Sequence, residues 1–221
     1  MISANLLDLA NHHPDSTEEQ IKTLCEKVIK YGFNAAFVNP CYIEFAKKTM
    51  GKDKKVGTVI SFPLGQETLE IKKLSAKTYA FLGADELDVS LNVGYLKMEK
   101  WDKSLEEMKV IINEAKSIRS SVIVKFIPET GYLTTEEIKK TAALMVTAGA
   151  DFFKTCSGLG PRGALVEDVL TIREAVGKQI KIKVAGGITT FKEAELFIKA
   201  GADRIGTSHG VEIITEASQN P

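Results

Sequence analysis

The chain has 221 residues, 44% of them hydrophobic, and its 29 basic side chains balance 29 acidic ones, giving a formal net charge of zero. This length and composition suit a single domain with one sizeable core. The balanced charge excludes a broad basic surface for nucleic acid or for an anionic membrane, so any anionic ligand must be bound by local groups.

Three widely spaced cysteines, Cys25, Cys41 and Cys156, predict neither a disulfide framework nor a zinc site. The chain reaches Asp8 too early for the apolar segment of a signal peptide, and no run approaches the roughly 18 apolar residues of a membrane span. We therefore expect a cytoplasmic protein with no metal, no cofactor, and neither a nucleic-acid nor a membrane partner.

Taken in chain order, short β-rich runs alternate with longer segments of helical periodicity. Helices are predicted most clearly at residues 16–32 and 134–149, which begin with threonine and glutamate and end at glycine. Eight strands are predicted, at or near residues 2–9, 35–40, 55–62, 86–92, 121–127, 151–157, 181–187 and 204–210.

A weak internal repeat supports this alternation. The segments "LGADELDV" (82–89), "AGADFFKT" (148–155) and "AGADRIGT" (200–207) each place a glycine corner before a strand. Glycine fits the left-handed position that ends a helix. Alternating strands and helices predict parallel βαβ units, and residues 1–221 are predicted to form a single (β/α)8 TIM barrel. An open doubly wound sheet is the alternative.

Charged residues interrupt several of the predicted strands. Asp88, Lys154 and Lys183 lie within apolar runs, as does Lys125, and in a barrel the reactive groups lie at the carboxyl ends of strands. If the amines of Lys154 and Lys183 both lie inside the barrel about 6 Å apart, their mutual repulsion of about 3 kcal/mol would leave one of them neutral near pH 7. Whether the Lys183 side chain points into the barrel stays open, because Lys181, two residues earlier in the strand, would point to the same face. The alternative is a structural ion-pair network with Asp88.

Two glycine-containing turns are candidates for phosphate binding. "AGGITT" (185–190) and "GTSHG" (206–210) each lead from a strand into a helix, where exposed N–H groups bind phosphate without any net positive charge. A purely steric need for glycine in such turns is the alternative for either one alone. Both together, on the last two strands, match the usual phosphate position in a barrel.

Longer blocks, including "GADELDVSLNVG", "AGADFFKTCSGLGPRGALVEDV" and "KVAGGITTFKEA", extend over nearly the whole chain. In these blocks the sequence resembles the deoxyribose-phosphate aldolases, class I aldolases with a (β/α)8 barrel. The resemblance implies that Lys154 forms the Schiff base, Lys183 tunes it, and Asp88 takes part in proton transfer. It also implies a phosphate site at Gly158, Gly186, Gly187, Gly206 and Ser208.

The implied reaction is cleavage of 2-deoxy-D-ribose 5-phosphate to D-glyceraldehyde 3-phosphate and acetaldehyde, a step in the catabolism of deoxynucleosides. The partners implied are these small phosphosugars and aldehydes, and a second copy of the chain in a homo-oligomer, a dimer or a tetramer. The alternatives are an aldolase or isomerase for another phosphosugar, and a catalytically silent barrel that binds sugar phosphate.

The sequence departs from the family at the substrate rim. Where family members often read "DHTLLKP", this chain has "DLANHHP" (8–14), with Ala10 for threonine and His13 for lysine. Phe37 stands where a cysteine is common, and His209 where a serine is common. The two histidines beside Pro14 are predicted to lie in a solvated loop. These departures bear on rate and substrate range more than on the class of reaction.

Overall fold

Eight parallel strands close into a barrel in the computed structural model, which describes residues 2–219. The strands follow one another in sequence order around the barrel, and β1 pairs with β8 to close it. The strands are β1 Leu7–Asn11, β2 Ala35–Val38, β3 Lys55–Ile60, β4 Glu86–Ser90, β5 Ile123–Ile127, β6 Phe152–Lys154, β7 Lys181–Ala185 and β8 Arg204–Thr207. The predicted (β/α)8 barrel is confirmed, and the open sheet is wrong.

Helices follow the strands and form the outer layer. They are α1 Glu18–Tyr31, α2 Ile43–Met50, α3 Leu69–Phe81, α4 Val93–Lys97, α5 Trp101–Ile118, α6 Thr135–Ala148, α7 Val166–Val176, α8 Phe191–Lys199 and α9 Gly210–Gln219. Short 3-10 turns occupy Ala4–Leu6, Pro40–Tyr42 and Thr130–Tyr132. Within residues 2–219, no helix is both long and apolar enough to cross a bilayer.

The two clearest predicted helices begin and end as their sequences indicate. Thr17 caps α1 and Thr134 caps α6, each in a reciprocal capping box with the residue three positions later. Each helix stops at a glycine in the left-handed conformation, Gly32 and Gly149. Local hydrogen-bonding chemistry therefore sets these boundaries.

All eight predicted strands are present, but their bounds differ from those predicted, most clearly in the first and the sixth. The first begins later, because residues Ala4–Leu6 form a 3-10 turn before β1. The sixth ends at Lys154 instead of continuing to residue 157. Beyond Lys154 the backbone N–H of Thr155 still donates to the carbonyl of Lys183 on β7, and the N–H of Ser157 then donates to the carboxylate of Glu129 instead of to a strand.

Alternation along each strand separates an apolar layer from a charged interior. In β4, Leu87 and Val89 belong to the hydrophobic core, whereas Glu86 and Asp88 form ion pairs with residues of other strands across the barrel. All four side chains are fully buried. Helix packing thus stabilises the outside of the barrel, while its inside is available for polar chemistry.

Candidate active site

A cavity of about 330 Å³ opens at the carboxyl ends of the strands. Lys154 and Lys183 lie among its lining residues, and the turns after β6, β7 and β8 form much of its rim. Reactive groups lie at this end in (β/α)8 enzymes. The structure therefore brings the predicted lysines and glycine turns together at one mouth.

The two lysines occupy the same level of the barrel. Lys154 and Lys183 are direct partners in the register of β6 with β7, and their side chains are almost fully buried. Each amine lies 2.9 Å from the same oxygen, Oδ2 of Asp88. Lys183 thus points inward, which the parity shared with Lys181 had left open.

Asp88 links three amines. Its Oδ2 accepts hydrogen bonds from Lys154 and Lys183, and its Oδ1 accepts one from Lys125 at 2.9 Å. Burial alone would raise the pKa of Asp88, but the three surrounding ammonium groups hold it well below its usual value. Asp88 is therefore an ionised carboxylate at neutral pH.

Below the lysines, a buried ion network fills the barrel. Within residues 2–219 its buried or mostly buried members are three carboxylates and four cations, namely Asp8, Glu86, Asp88, Lys125, Lys154, Lys183 and Arg204; the exposed Lys55 lies 3.6 Å from Glu86 at its edge. With every group ionised, these seven inner side chains carry one surplus positive charge. Loss of one proton from an amine would make them neutral overall, which a water-poor interior favours.

Lys183 is the amine in this network that gives up its proton more readily than usual. Burial lowers its pKa, and Lys125 and Lys154 lower it further, against the opposing attraction of Asp8 and Asp88. Lys125 differs: burial would lower its pKa, but its contacts with Asp88 and Glu86 raise it. The ion-pair network and the lysine with a lowered pKa, which were alternatives on the sequence alone, thus occur together in one cluster.

Phe37 covers the network from one side. Its ring centroid lies 3.5 Å from the amine of Lys183 and 4.6 Å from that of Lys125. Room for the ring is provided by Gly57, its register partner on β3, where a Cβ atom would meet the ring at 2.3 Å. The departure at Phe37 therefore reaches the lysines and not only the substrate rim.

The glycine turns approach one another at the rim. Gly158, Gly186 and Gly187 have positive φ angles, and a Cβ atom on Gly186 would lie 3.3 Å from Cα of Gly158. Among the described residues, no acceptor bonds to the backbone N–H of Gly158 or Gly187. These two donors are available to an anion.

Two other predicted phosphate residues have different surroundings. Gly206 lies inside β8, where a Cβ atom would meet Cε of Lys183 at 2.8 Å, so the glycine leaves room for that lysine. Ser208 is exposed in the turn after β8, and its Oγ lies 3.1 Å from Nδ1 of His209. His209, at a departure from the family pattern, thus contacts the hydroxyl group of Ser208.

Several residues of the site were not predicted from the sequence. Asp8, Glu86 and Arg204 were not expected in the network, although their charges within strands were a signal. His13 is exposed as predicted, whereas His12 is partly buried and lines the cavity beside Phe62. Within residues 2–219, no three histidine, cysteine, aspartate or glutamate side chains are arranged to hold a metal ion.

Amines held together beneath a glycine-lined mouth suit condensation with a carbonyl group, and this site in a (β/α)8 barrel defines an aldolase. The model of the DeoC/LacD family aldolases matches residues 2–215. The chain therefore belongs to this family.

Curated relatives match over nearly the whole chain. A deoxyribose-phosphate aldolase of Thermococcus kodakarensis is 45% identical over 219 residues, covering 97% of this chain and 96% of the relative. One from Caldanaerobacter subterraneus subsp. tengcongensis is 41% identical over 214 residues, covering 96% and 92%.

Solved structures agree with these matches. An aldolase named QR15 superposes with a TM-score of 0.92 at 39% identity, covering 98% of this chain and 96% of the other. The Aeropyrum pernix deoxyribose phosphate aldolase, described as having a unique tetrameric structure, superposes with a TM-score of 0.88 at 30% identity, covering 97% and 90%.

Proposed function

We propose that this aldolase cleaves 2-deoxy-D-ribose 5-phosphate to D-glyceraldehyde 3-phosphate and acetaldehyde through a Schiff base on Lys154. The observation that carries the proposal is the sharing of one carboxylate oxygen by Lys154 and Lys183 at the closed end of the cavity. The names of the relatives support the choice of substrate.

Lys183 activates Lys154 in this proposal. Both nitrogens lie 2.9 Å from Oδ2 of Asp88, so they are no farther apart than twice that distance. Lys183, whose pKa is lowered, takes a proton from Lys154 as that amine attacks C1 of the open-chain aldehyde. The resulting carbinolamine loses water to give the iminium ion.

Carbon–carbon cleavage follows from the iminium. Asp88, acting through a water molecule, accepts the proton of the C3 hydroxyl group; the C2–C3 bond breaks and its electron pair moves to the iminium nitrogen. C3 becomes the aldehyde carbon of glyceraldehyde 3-phosphate. The enamine that remains is protonated at C2, and water hydrolyses it to acetaldehyde and free Lys154. The iminium supplies the electron sink, so these steps need no metal or cofactor.

The phosphate group occupies the glycine-lined rim in this proposal. Gly158 and Gly187 donate backbone N–H groups, with Gly186 and Ser208 beside them. Gly206, also predicted as a phosphate ligand, contributes by admitting Lys183 to its position beside Asp88. Binding at the rim directs the C1 aldehyde towards the lysines.

We also infer a homo-oligomer, a dimer or a tetramer, working in the cytoplasm. The tetrameric Aeropyrum pernix enzyme supports self-association, as do the exposed apolar side chains of Ile71, Leu74 and Phe81 on α3. Three free cysteines suit a reducing compartment.

The test is release of acetaldehyde from 2-deoxyribose 5-phosphate by the wild type and by Lys154→Arg. Arginine keeps the positive charge but forms no imine, so activity should fall below a few per cent of wild type, on the order of a hundredfold loss or more. Lys181→Arg, the same change on an exposed lysine of β7, is the matched control. Substantial activity in Lys154→Arg would reject the assignment, and an inactive wild type would reject the substrate.

A further inference from the structure

The two sides of the cavity differ in chemistry. The side near β7 and β8 presents glycine turns and the hydroxyl groups of Thr207 and Ser208. The side formed by the ends of β1 to β3 presents the apolar side chains of Ala10, Phe37 and Phe62. His12 is the polar side chain that lies against this apolar side.

The ring of His12 is held in place but has an unpartnered atom. It packs against Phe62 with ring centroids 5.4 Å apart, and the Lys154 amine lies 5.5 Å from the centroid of the same Phe62 ring. Nδ1 of His12 is buried with no hydrogen-bond partner among the described residues. Phe62 therefore lies beside both the His12 ring and the amine of Lys154, which places His12 one ring away from the lysine proposed to form the Schiff base.

The protonation state of His12 follows from its surroundings. Burial lowers its pKa to about 3, helped by the positive charges of Lys154 and Lys183 and opposed by Asp88 and the Asn39 side chain. A neutral imidazole carries one N–H, and on Nδ1 that donor would be buried with no acceptor to receive its hydrogen bond. The N–H is therefore assigned to Nε2, on the part of the ring that is not sealed from the cavity.

We propose that His12 is a specificity-determining residue that donates a hydrogen bond from Nε2 to the C4 hydroxyl group of the bound sugar. This proposal rests on the proposed function and adds a substrate contact to it. The C3 hydroxyl is engaged deeper, at Asp88, and the phosphate lies at the glycine rim. The C4 hydroxyl is the remaining polar group, and Ala10, Phe37 and Phe62 on this side of the cavity offer it no hydrogen bond, while His13, which also lines the cavity, is exposed.

The reverse reaction, aldol addition, allows the contact between His12 and the C4 hydroxyl group to be tested separately. Acetaldehyde bound to Lys154 adds to an acceptor aldehyde, and the hydroxyl group next to the acceptor's aldehyde becomes the C4 hydroxyl of the product. D-Glyceraldehyde 3-phosphate carries that hydroxyl, whereas 3-oxopropyl phosphate lacks it and is otherwise matched. The ratio of kcat/KM for these two acceptors therefore reports on the contact.

The variants are His12→Leu, which removes the donor, and His12→Gln, whose amide nitrogen reaches about as far as Nε2. His12→Leu should lower kcat/KM for glyceraldehyde 3-phosphate by about five- to tenfold, the effect of one hydrogen bond, and leave 3-oxopropyl phosphate unchanged. His12→Gln should retain most of the wild-type preference. Thermal melting and reductive trapping of acetaldehyde on each variant verify that the fold and Lys154 are intact.

Each outcome separates the two proposals. Equal losses with both acceptors, or an undiminished preference in His12→Leu, would overturn the role of His12 while leaving the aldolase reaction in place. A wild type that condenses acetaldehyde with neither acceptor would instead count against the proposed function. A wild type without preference between the acceptors would overturn the His12 contact before any variant is made.

Discussion

At the scale of single residues, the chemistry depends on how few carboxylates surround many amines. Asp88 accepts hydrogen bonds from Lys125, Lys154 and Lys183, and even together with Asp8 and Glu86 it leaves the cluster with fewer carboxylates than cations. Burial lowers the pKa of Lys183, and its neighbouring lysines lower it further. Lys183 therefore gives up its proton more readily than an ordinary lysine, and it does so directly beside Lys154.

Lys183→Leu tests whether Lys183 acts as the proton acceptor. Without Lys183, the proton of Lys154 has no nearby amine to receive it, and general-base contributions of this kind are worth about 10²- to 10⁴-fold. We expect a fall in kcat of at least about a hundredfold, and the acidic limb of the pH–rate profile should move to higher pH. Steady-state rates measured across the pH range check both effects.

Lys181→Leu provides the comparison for this experiment. Lys181 lies at the start of the same strand, and its side chain is exposed. It should leave the rate and the profile close to wild type. An acidic limb that stays in place in Lys183→Leu would show that Lys183 does not activate Lys154.

At the scale of elements, β2 and β3 pack together because a large side chain on β2 faces a glycine on β3. Phe37 and Gly57 are register partners, and the Phe37 ring fills the space that a side chain on Gly57 would occupy. The ring in turn contacts the Lys183 amine. Packing between two strands on one side of the barrel thus places an aromatic surface against the buried lysine cluster.

Gly57→Ala should therefore destabilise the protein and impair the site together. A Cβ atom 2.3 Å from the Phe37 ring must displace the ring, and such overpacking costs about 1–3 kcal/mol. Urea unfolding and kcat of the single variants and of Phe37→Leu/Gly57→Ala check this. The double variant should be more stable than Gly57→Ala alone. If the changes in unfolding free energy of the two single variants simply add in the double variant, the proposed contact between Phe37 and residue 57 is contradicted.

At the scale of the whole molecule, the alternating pattern of the sequence predicted the barrel well. Strand and helix order, the capped ends of α1 and α6, and the inward Lys154 follow from local periodicity and from turn chemistry. The charged interior was less predictable: the partners Glu86 and Arg204 are 118 residues apart in the chain. Register across eight strands brings them together, and no short-range pattern encodes that contact.

The position of His12 is a second feature that could not be predicted from the sequence. A histidine pair beside proline is typical of a solvated loop, and His13 follows that pattern. His12 instead packs against Phe62, which belongs to the turn after β3 and has no signal linking it to residue 12. Contacts between loops of different βα units depend on the closed barrel, so the sequence alone did not predict this one.

The buried network also determines how stability depends on pH. Burial would raise the pKa of Glu86, but Lys125 and Arg204 lower it from 4.5 to about 2. A carboxylate whose folded pKa is depressed stabilises the fold above its unfolded pKa, and this stabilisation is lost as pH falls through the folded value. We expect the Tm to fall between about pH 4.5 and 2 as Glu86 becomes protonated, and the depressed pKa of Asp88 adds a loss of the same sign as that carboxylate takes up its proton.

Thermal melting followed by circular dichroism from pH 7 to pH 2 measures this dependence. Glu86→Gln should be less stable at neutral pH, since it leaves Lys125 and Arg204 underpaired, and its Tm should change less between pH 4.5 and 2. Parallel curves for wild type and variant would contradict this contribution of Glu86.

Borohydride trapping of acetaldehyde on the enzyme tests the central claim most directly. Reduction of the imine in the wild type should leave an ethyl group on the ε-nitrogen of Lys154, located by peptide mass spectrometry, and Lys183 should remain unmodified. A label on Lys183, or an active enzyme that gains no label on Lys154, would contradict the account.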